Sequence, residues 1–351
     1  MTVAIIGYGR FGRALGSLLE EAGIDYRALD PVADVPASRR AGSMRELLTG
    51  ATRVVVAVPV PRMREVLEAM LPHLRPEQLV LDVGSVKVKP VQAMNEVLGT
   101  RVPWVGTHPL FGPLSLAMAE RPLRVVVCPN PLYPEAAREA RAFYERLGCE
   151  IIEQTPEGHD RVMAHTHALT FFVAKGMVDA GSGVDVPFAP ASFKALSRTI
   201  ETVRSDAGHL FTAIQHENPF AREARGHLLH ALEAIHHELE TIPPEAATPD
   251  TPSMELPALE TGLPELKETR ELIDQLDHDL VELLARRAEL ARRALRAKAQ
   301  AGTPVPDPAR EEAVIATRRA WATELGVDPE GMEAIFRAIL RFSRRAQQTK
   351  E

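Results

Sequence analysis

The sequence is poor in the residues that staple or cage a small fold. Among its 351 residues are only two cysteines, Cys128 and Cys149. Their spacing is nothing like a C-x-x-C ligand pair, which argues against a zinc site and a disulfide framework. Basic charge is not in excess: 48 acids against 41 Lys and Arg leave a net charge of −7. Nothing therefore draws the chain electrostatically to nucleic acid or to an acidic membrane surface, and no such partner is expected. No apolar run approaches the roughly 20 residues that span a bilayer. The opening Met1-Thr2-Val3-Ala4-Ile5-Ile6 passes straight into an apolar strand with no basic stretch or cleavage site, so a cytoplasmic protein is expected.

What is present is ordinary globular composition, 45% hydrophobic and 25% charged, in a chain longer than one core usually organises. Up to residue 153, short β-rich runs (Val3–Ile6, Tyr26–Leu29, Arg53–Val58, Leu79–Val83, Trp104–Val105, Arg124–Cys128, Glu150–Glu153) alternate with helical patterns such as Phe11–Glu21. That alternation predicts an α/β, Rossmann-like, doubly wound parallel sheet over 1–153. Residues 154–240 read as successive helices, an all-α domain expected to carry substrate and dimer contacts. Between Thr241 and Pro264 lie six prolines and four acids but no Lys or Arg, the composition of a tether over 241–264. Residues 265–351 are again helical, with breaks near Gly302–Pro308 and Gly326–Pro329.

Gly7-Tyr8-Gly9-Arg10-Phe11-Gly12 follows the first strand and opens a helix, the context in which G-x-G-x-x-G binds a dinucleotide. Gly7 permits the tight turn, Gly9 lets a pyrophosphate approach the backbone, and Gly12 lets helix and strand pack. Asp30 ends the second strand, 18 residues after Gly12. A carboxylate there accepts from ribose hydroxyls and repels a 2′-phosphate, which favours NAD over NADP. Arg27 lies close by and is the group that would instead meet a 2′-phosphate.

Two later segments, Asp82-Val83-Gly84-Ser85-Val86-Lys87 and Gly106-Thr107-His108-Pro109-Leu110-Phe111-Gly112-Pro113, fall at strand carboxyl ends, where open α/β sheets place ligands. With the helical Phe193-Lys194-x-x-x-Arg198 and the Ser205-Asp206 and Asn218-Pro219 pairs, residues 1 to about 240 resemble the prephenate and arogenate dehydrogenase family. The resemblance implies oxidation of a ring alcohol by hydride transfer to NAD⁺, with loss of the ring carboxylate as CO₂. It assigns the hydroxyl proton to His108, support of hydroxyl and imidazole to Ser85, and carboxylate binding to Arg198; Lys194 reads either as a second cation for a carboxylate or as a solvated helix lysine. A neutral imidazole suits such a base near neutral pH. The sequence departs from the family 12 residues after His159, where a frequent substrate-side histidine is replaced by Phe171; His165 and His167 lie within about one helical turn of it.

In the C-terminal part, Leu266, Ile273, Leu276, Leu280, Leu283, Leu284 and Leu290 recur with helical period over a long helix that needs a partner for its apolar stripe. Arg287 and Lys298, 11 residues apart, lie within about 20° of one face, whereas Arg270 lies about 25 Å from Arg287 along the axis. Together with Asp307, Arg310, Glu311, Ser343 and Gln347, the spacing resembles the all-helical chorismate mutases over essentially all of 265–351, with Pro306 where some members place an arginine. The resemblance implies rearrangement of chorismate to prephenate. The cations Arg270, Arg287 and Arg310 would hold carboxylates, Lys298 and Gln347 the ether oxygen, Glu311 and Asp307 the hydroxyl, with Ser343 completing the pocket. A bifunctional enzyme of tyrosine biosynthesis, forming a homodimer, is expected. The alternative is a dehydrogenase whose helical C-terminal part mainly dimerises or regulates.

Overall fold

In the computed structural model, residues 2–182, 188–190, 193, 196–197, 199–201, 203, 208–241, 265–300 and 308–348 are described, with backbone alone at 208–209, 265–272, 275, 299–300, 308 and 346–348. The chain divides into two compact units, one of Met1–Pro113 and Pro122–Thr251, the other of Leu114–Arg121 and Pro252–Glu351.

The first unit is organised by β1 (Thr2–Ile6), β2 (Asp25–Leu29), β3 (Arg53–Val56), β4 (Leu79–Asp82), β5 (Trp104–Pro109), β6 (Leu123–Cys128) and β7 (Cys149–Glu153). They form one sheet in the order β2-β1-β3-β4-β5-β6-β7. Helices follow in chain order as α1 (Arg10–Glu21), α2 (Met44–Leu48), α3 (Met63–Met70), α4 (Val88–Val97), α5 (Pro113–Ala117) and α6 (Pro134–Arg146). Then come α7 (Pro156–Met163), α8 (Leu169–Asp179), α9 (Gly208–Glu217) and α10 (Ala221–Thr241). In the second unit, which also takes in Leu114–Ala117 of α5, lie α11 (Glu265–Gln300), α12 (Pro308–Glu324) and α13 (Pro329–Gln348).

Val54-Val55-Val56 and Leu79-Val80-Leu81 are buried without interruption. Continuous apolar runs of this kind mark strands covered on both faces, whereas the edge strands β2 and β7 carry exposed positions. The sheet departs from the all-parallel expectation at one point. β5 pairs antiparallel with β6, while β6 and β7 are parallel to each other. The link from β5 to β6 carries only the five-residue α5, too little helix for the usual crossover between parallel neighbours.

Register fixes the functional edge. Leu29, Ile6, Val56, Asp82 and Gly106 stand abreast across β2, β1, β3, β4 and β5. Gly7, Asp30, the Gly84–Ser85 turn and His108 therefore all leave the sheet at the same carboxyl edge. The strand order reverses between β1 and β3, and that switch point is where such sheets open a crevice for ligands.

Beneath this edge is an ion pair without water access. Lys87 and Asp82 are both fully buried, and Lys87 Nζ donates to Asp82 Oδ1 and, at 2.5 Å, to Thr107 O. Gly84 N and Thr107 N also donate to the Asp82 carboxylate, at 2.9 and 3.2 Å. Burial raises the Asp82 carboxyl's pKa, and Lys87 with these N–H groups opposes the rise. Lys87→Met keeps the stem's bulk and strands the buried carboxylate. It is expected to cost the first unit about 3–5 kcal/mol in urea unfolding; an unchanged midpoint would show that the pair contributes nothing.

Candidate active sites

Gly7 leaves β1 at φ +94°, and a Cβ there would stand 2.4 Å from Ala57 O; on Gly12 it would stand 2.2 Å from Gly7 O. On Gly9 it would meet nothing within 4 Å. Two of the glycines thus close the turn and pack α1, and the middle one leaves bare backbone at a helix start. Gly9 is the N-cap of α1 and no side chain caps it, so the first N–H groups remain available to an anion. This cradle fits a diphosphate.

Asp30 is half-buried, with Oδ2 accepting from Tyr8 N at 2.7 Å and Oδ1 from Val32 N and Ala33 N at 2.8 and 2.7 Å. Burial opposes ionisation, but the Ala33, Val32 and Tyr8 donors with the Arg13 guanidinium hold the carboxyl below its usual range. A carboxylate has about four lone-pair sites; three are used here, and the charge stays. Arg27 is engaged elsewhere, donating to Arg40 O at 2.6 Å and Glu46 Oε1 at 2.7 Å.

His108, near the end of β5 and 5% exposed, sits in a buried polar chain. Its Nδ1 lies 2.8 Å from His159 Nε2, and His159 Nδ1 lies 2.8 Å from Asp160 Oδ1. Both partners come from α7, whose Asp160 carboxylate accepts from Lys87 N at 2.7 Å and Val88 N at 2.9 Å. The first turn of α4 is thereby satisfied by a carboxylate from another helix. Asn218, also buried, donates to Asp160 O at 2.7 Å. His167 stacks on His108, with centroids 6.4 Å apart and planes within 15°, and meets the Phe171 ring edge-on at 4.9 Å. It reaches that position through a π-helical turn, Ala164–Ala168, between α7 and α8; such a turn inserts a residue and re-aims the side chains after it. His165 is exposed. Burial, then His159, Lys87 and His167, hold His108 well below the usual histidine range, and burial with His159 lowers His167 to about 4.

In the second unit, Arg287 on α11 donates from Nη1 to Ser343 Oγ on α13, and that hydroxyl donates to Ile339 O at 2.9 Å. Ser343 is buried, Lys298 half-buried and Arg310 exposed. Glu311 pairs with Arg344 Nη1 at 3.1 Å. Burial and the neighbouring Arg318 lower the Arg287 pKa. Arg318 lies 4.5 Å over the Trp321 ring. Among the described residues no carboxylate pairs with Arg287 or Arg318, although Arg319, Arg337 and Arg344 around them are all paired. Two half-buried guanidiniums without an acid make an anion-ready surface.

Comparison with known proteins divides along the same line. Residues 37–152 match the family described as prephenate dehydrogenase, nucleotide-binding domain, and residues 269–348 match chorismate mutase type II. The two matches lie in separate parts of the chain. A probable arogenate/prephenate dehydrogenase of Methanocaldococcus jannaschii is 28% identical over 176 residues, 48% of this chain and 40% of that protein. The T-protein of Enterobacter agglomerans is 31% identical over 170 residues, 48% of this chain and 42% of its own. The chain thus spans about two fifths of the length of these relatives. The fold of the prephenate dehydrogenase of A. aeolicus, solved with hydroxyphenyl propionate and NAD⁺, superposes with a TM-score of 0.55 at 22% identity, covering 69% of this chain and 92% of that one.

The first unit brings Gly7, Gly9, Gly12, Asp30 and His108 to one sheet edge. Ser85 stands half-buried in the turn before α4 and makes no hydrogen bond to either imidazole of the pair; His159 takes His108 Nδ1 instead. Lys194 and Arg198 lie outside the described residues. In the second unit, Arg287 and Ser343 meet and Glu311 turns to Arg344. Asp307 and Pro306 lie outside the described residues, as do the side chains of Arg270 and Gln347. The sequence reading missed His159 and Asp160 as partners of His108. Their one legible signal was adjacency at a helix start.

Two histidines buried neutral carry an acid penalty. His167 binds its proton near pH 6.5 when unfolded but near 4 when folded, so the unfolded state takes up the proton first and stability falls as pH drops across that window. For His167 alone the loss is on the order of 3 kcal/mol. Urea unfolding of the first unit at pH 7 and pH 4.5 is expected to show it, and His167→Gln to flatten the slope; equal pH dependence in the two proteins would refute it.

Proposed function

We propose that the chain rearranges chorismate to prephenate in its second unit and oxidises prephenate in its first, yielding 4-hydroxyphenylpyruvate and CO₂. The observation that carries this reading is the presence in one chain of two family domains whose reactions are consecutive. Gly7, Gly9 and Gly12 would hold NAD⁺, with the Asp30 charge disfavouring a 2′-phosphate. NAD⁺ supplies the hydride acceptor. His108 takes the hydroxyl proton as the carbinol hydride departs, and the C–CO₂ bonding pair then aromatises the ring. Ser85 supports the hydroxyl, Arg198 and Lys194 meet the carboxylates, and Phe171 with His167 forms a wall near His108.

The mutase reaction is pericyclic and needs no base, only a cation-rich pocket that holds the compact dianion and stabilises charge on the breaking ether oxygen. Arg287, Arg310 and Ser343 with Arg270 would bind carboxylates, Lys298 and Gln347 the ether oxygen, and Asp307 and Glu311 the substrate hydroxyl. The protein would act in the cytoplasm as a homodimer. Ile273, Leu276, Leu280, Leu283 and Leu290 on α11 are each between 42% and 66% exposed in the single chain. Their spacing of 3, 4, 3 and 7 residues is that of a helix-pairing seam, and a second copy would cover it.

The direct test supplies chorismate and NAD⁺ to the purified chain and follows NADH with 4-hydroxyphenylpyruvate; absence of either product overturns the reading. His108→Asn is expected to lower dehydrogenase kcat by roughly 10²–10⁴ and to leave chorismate turnover unchanged, and near-normal kcat would remove His108 from the base role.

If Arg270 completes the partner's pocket, Arg270→Ala and Arg287→Ala dimers are each nearly inactive as mutases. Co-expressed in equal amounts, half the dimers are mixed, and each mixed dimer has one intact site. About a quarter of wild-type turnover should return; no recovery despite demonstrated mixed dimers would place Arg270 within its own chain or outside the site.

A further inference from the structure

The chain of groups behind His108 has a direction. Asp160 accepts from Lys87 N, from Val88 N and from the His159 ring. A carboxylate holding two backbone N–H donors is an acceptor toward everything else, so His159 must carry its proton on Nδ1. In the neutral ring its Nε2 is then a lone pair. His108 Nδ1, 2.8 Å away, has to be the donor of that contact. Its own proton being on Nδ1, neutral His108 keeps Nε2 bare.

We infer that His159 and Asp160 are positioning residues for the dehydrogenase base: they fix His108 in the one neutral tautomer whose Nε2 can accept a proton, and they share the positive charge once it has. The inference rests on the reading of His108 as that base. The proton leaves the substrate hydroxyl for His108 Nε2, no bond of His159 or Asp160 is broken, and the new cation is stabilised through His108 Nδ1–H and His159 Nδ1–H toward the carboxylate.

Lys87 joins the two ends of this chain. Its backbone N–H anchors Asp160, and its ammonium anchors Thr107 O, the peptide that leads into His108. Asn218 pins Asp160 from the other side through its carbonyl. Sheet and helices together constrain two imidazoles, which is how a productive geometry is kept within a fraction of an ångström.

Among the described residues, the surrounding groups leave few sources of pH dependence. From β4 and the turn after it come Asp82 and Lys87, paired with each other. Thr107 leads to Tyr144 on α6, whose phenol burial raises, and Cys128 on β6 is pushed up to about 12. Glu157 on α7 is exposed. His167 stays neutral to about 4.

The test uses the full chain with prephenate and NAD⁺. Asp160→Asn removes the anion that favours the cationic pair. The acid limb of the kcat profile should therefore move to lower pH, while kcat at its plateau falls by roughly 10–100-fold or more with prephenate KM little changed. In a His108→Asn background the same substitution should cost almost nothing further. Imidazole ¹⁵N NMR of the wild type should show His108 protonated at Nδ1 and bare at Nε2, and Asp160→Asn should mix the tautomers. Should Asp160→Asn fail to fold, His159→Gln carries the same measurements with the Asp160 carboxylate still accepting from Lys87 N and Val88 N. An unshifted pH profile, a loss additive with His108→Asn, or a wild-type His108 protonated at Nε2 overturns the inference. If wild-type protein does not oxidise prephenate, the proposed function fails, and the NMR tautomer still decides the relay.

Discussion

An ammonium group taken wholly out of water persists only where oxygen atoms replace its hydration, and Lys87 finds them in Asp82 and Thr107 O. That requirement ties β4 to β5 at the edge where ligands are expected. It also fixes the backbone of residues 87 and 88, whose N–H groups start α4 and would be orphans there. Asp160 satisfies them from α7, so the helical segment is fastened to the sheet through one carboxylate. His108 inherits its position from both attachments, since Thr107 precedes it and His159 meets its ring.

Much of this edge was legible in the sequence because its determinants are local. A glycine at φ +94° and another whose Cβ would strike a carbonyl are backbone requirements within one turn. All seven strands were readable as apolar runs. The orientation of β6 was not, since run composition is the same for either direction and the deciding fact is how little helix joins β5 to β6. His159 and Asp160 stood in the sequence only as a point to count from, because their meeting with His108 spans 51 positions and depends on where α7 docks. His167 was one of two candidates near Phe171. The π-helical turn that holds both, leaving His165 exposed and His167 stacked on His108, has no signature in composition.

The helical unit shows the complementary case. Period alone gave the long helix and its stripe, and the structure leaves Ile273, Leu276, Leu280, Leu283 and Leu290 of that stripe exposed in one chain. Charge patterning did not single out Arg318, which resembles any helix arginine until its surroundings are known. It lies over Trp321, its Nε is buried without a hydrogen-bond partner, and it is close enough to Arg287 to lower that residue's pKa. Such a pair is costly to bury without an anion, so the unit is built with its positive charge awaiting one.

The two units use the same physical lever to opposite ends. Withdrawing water disfavours the charged form of a titrating group. Applied to His108, whose ordinary pKa lies close to neutrality, it leaves an uncharged ring able to accept a proton. Applied to Arg287 it also lowers the pKa, but a guanidinium starts so far above neutrality that it remains a cation. Burial therefore leaves a neutral proton acceptor in one unit and a permanent charge in the other. The proposed oxidation of an alcohol would use the first and the proposed confinement of a dianion the second, and the choice between them is made by residue type, before any geometry is set.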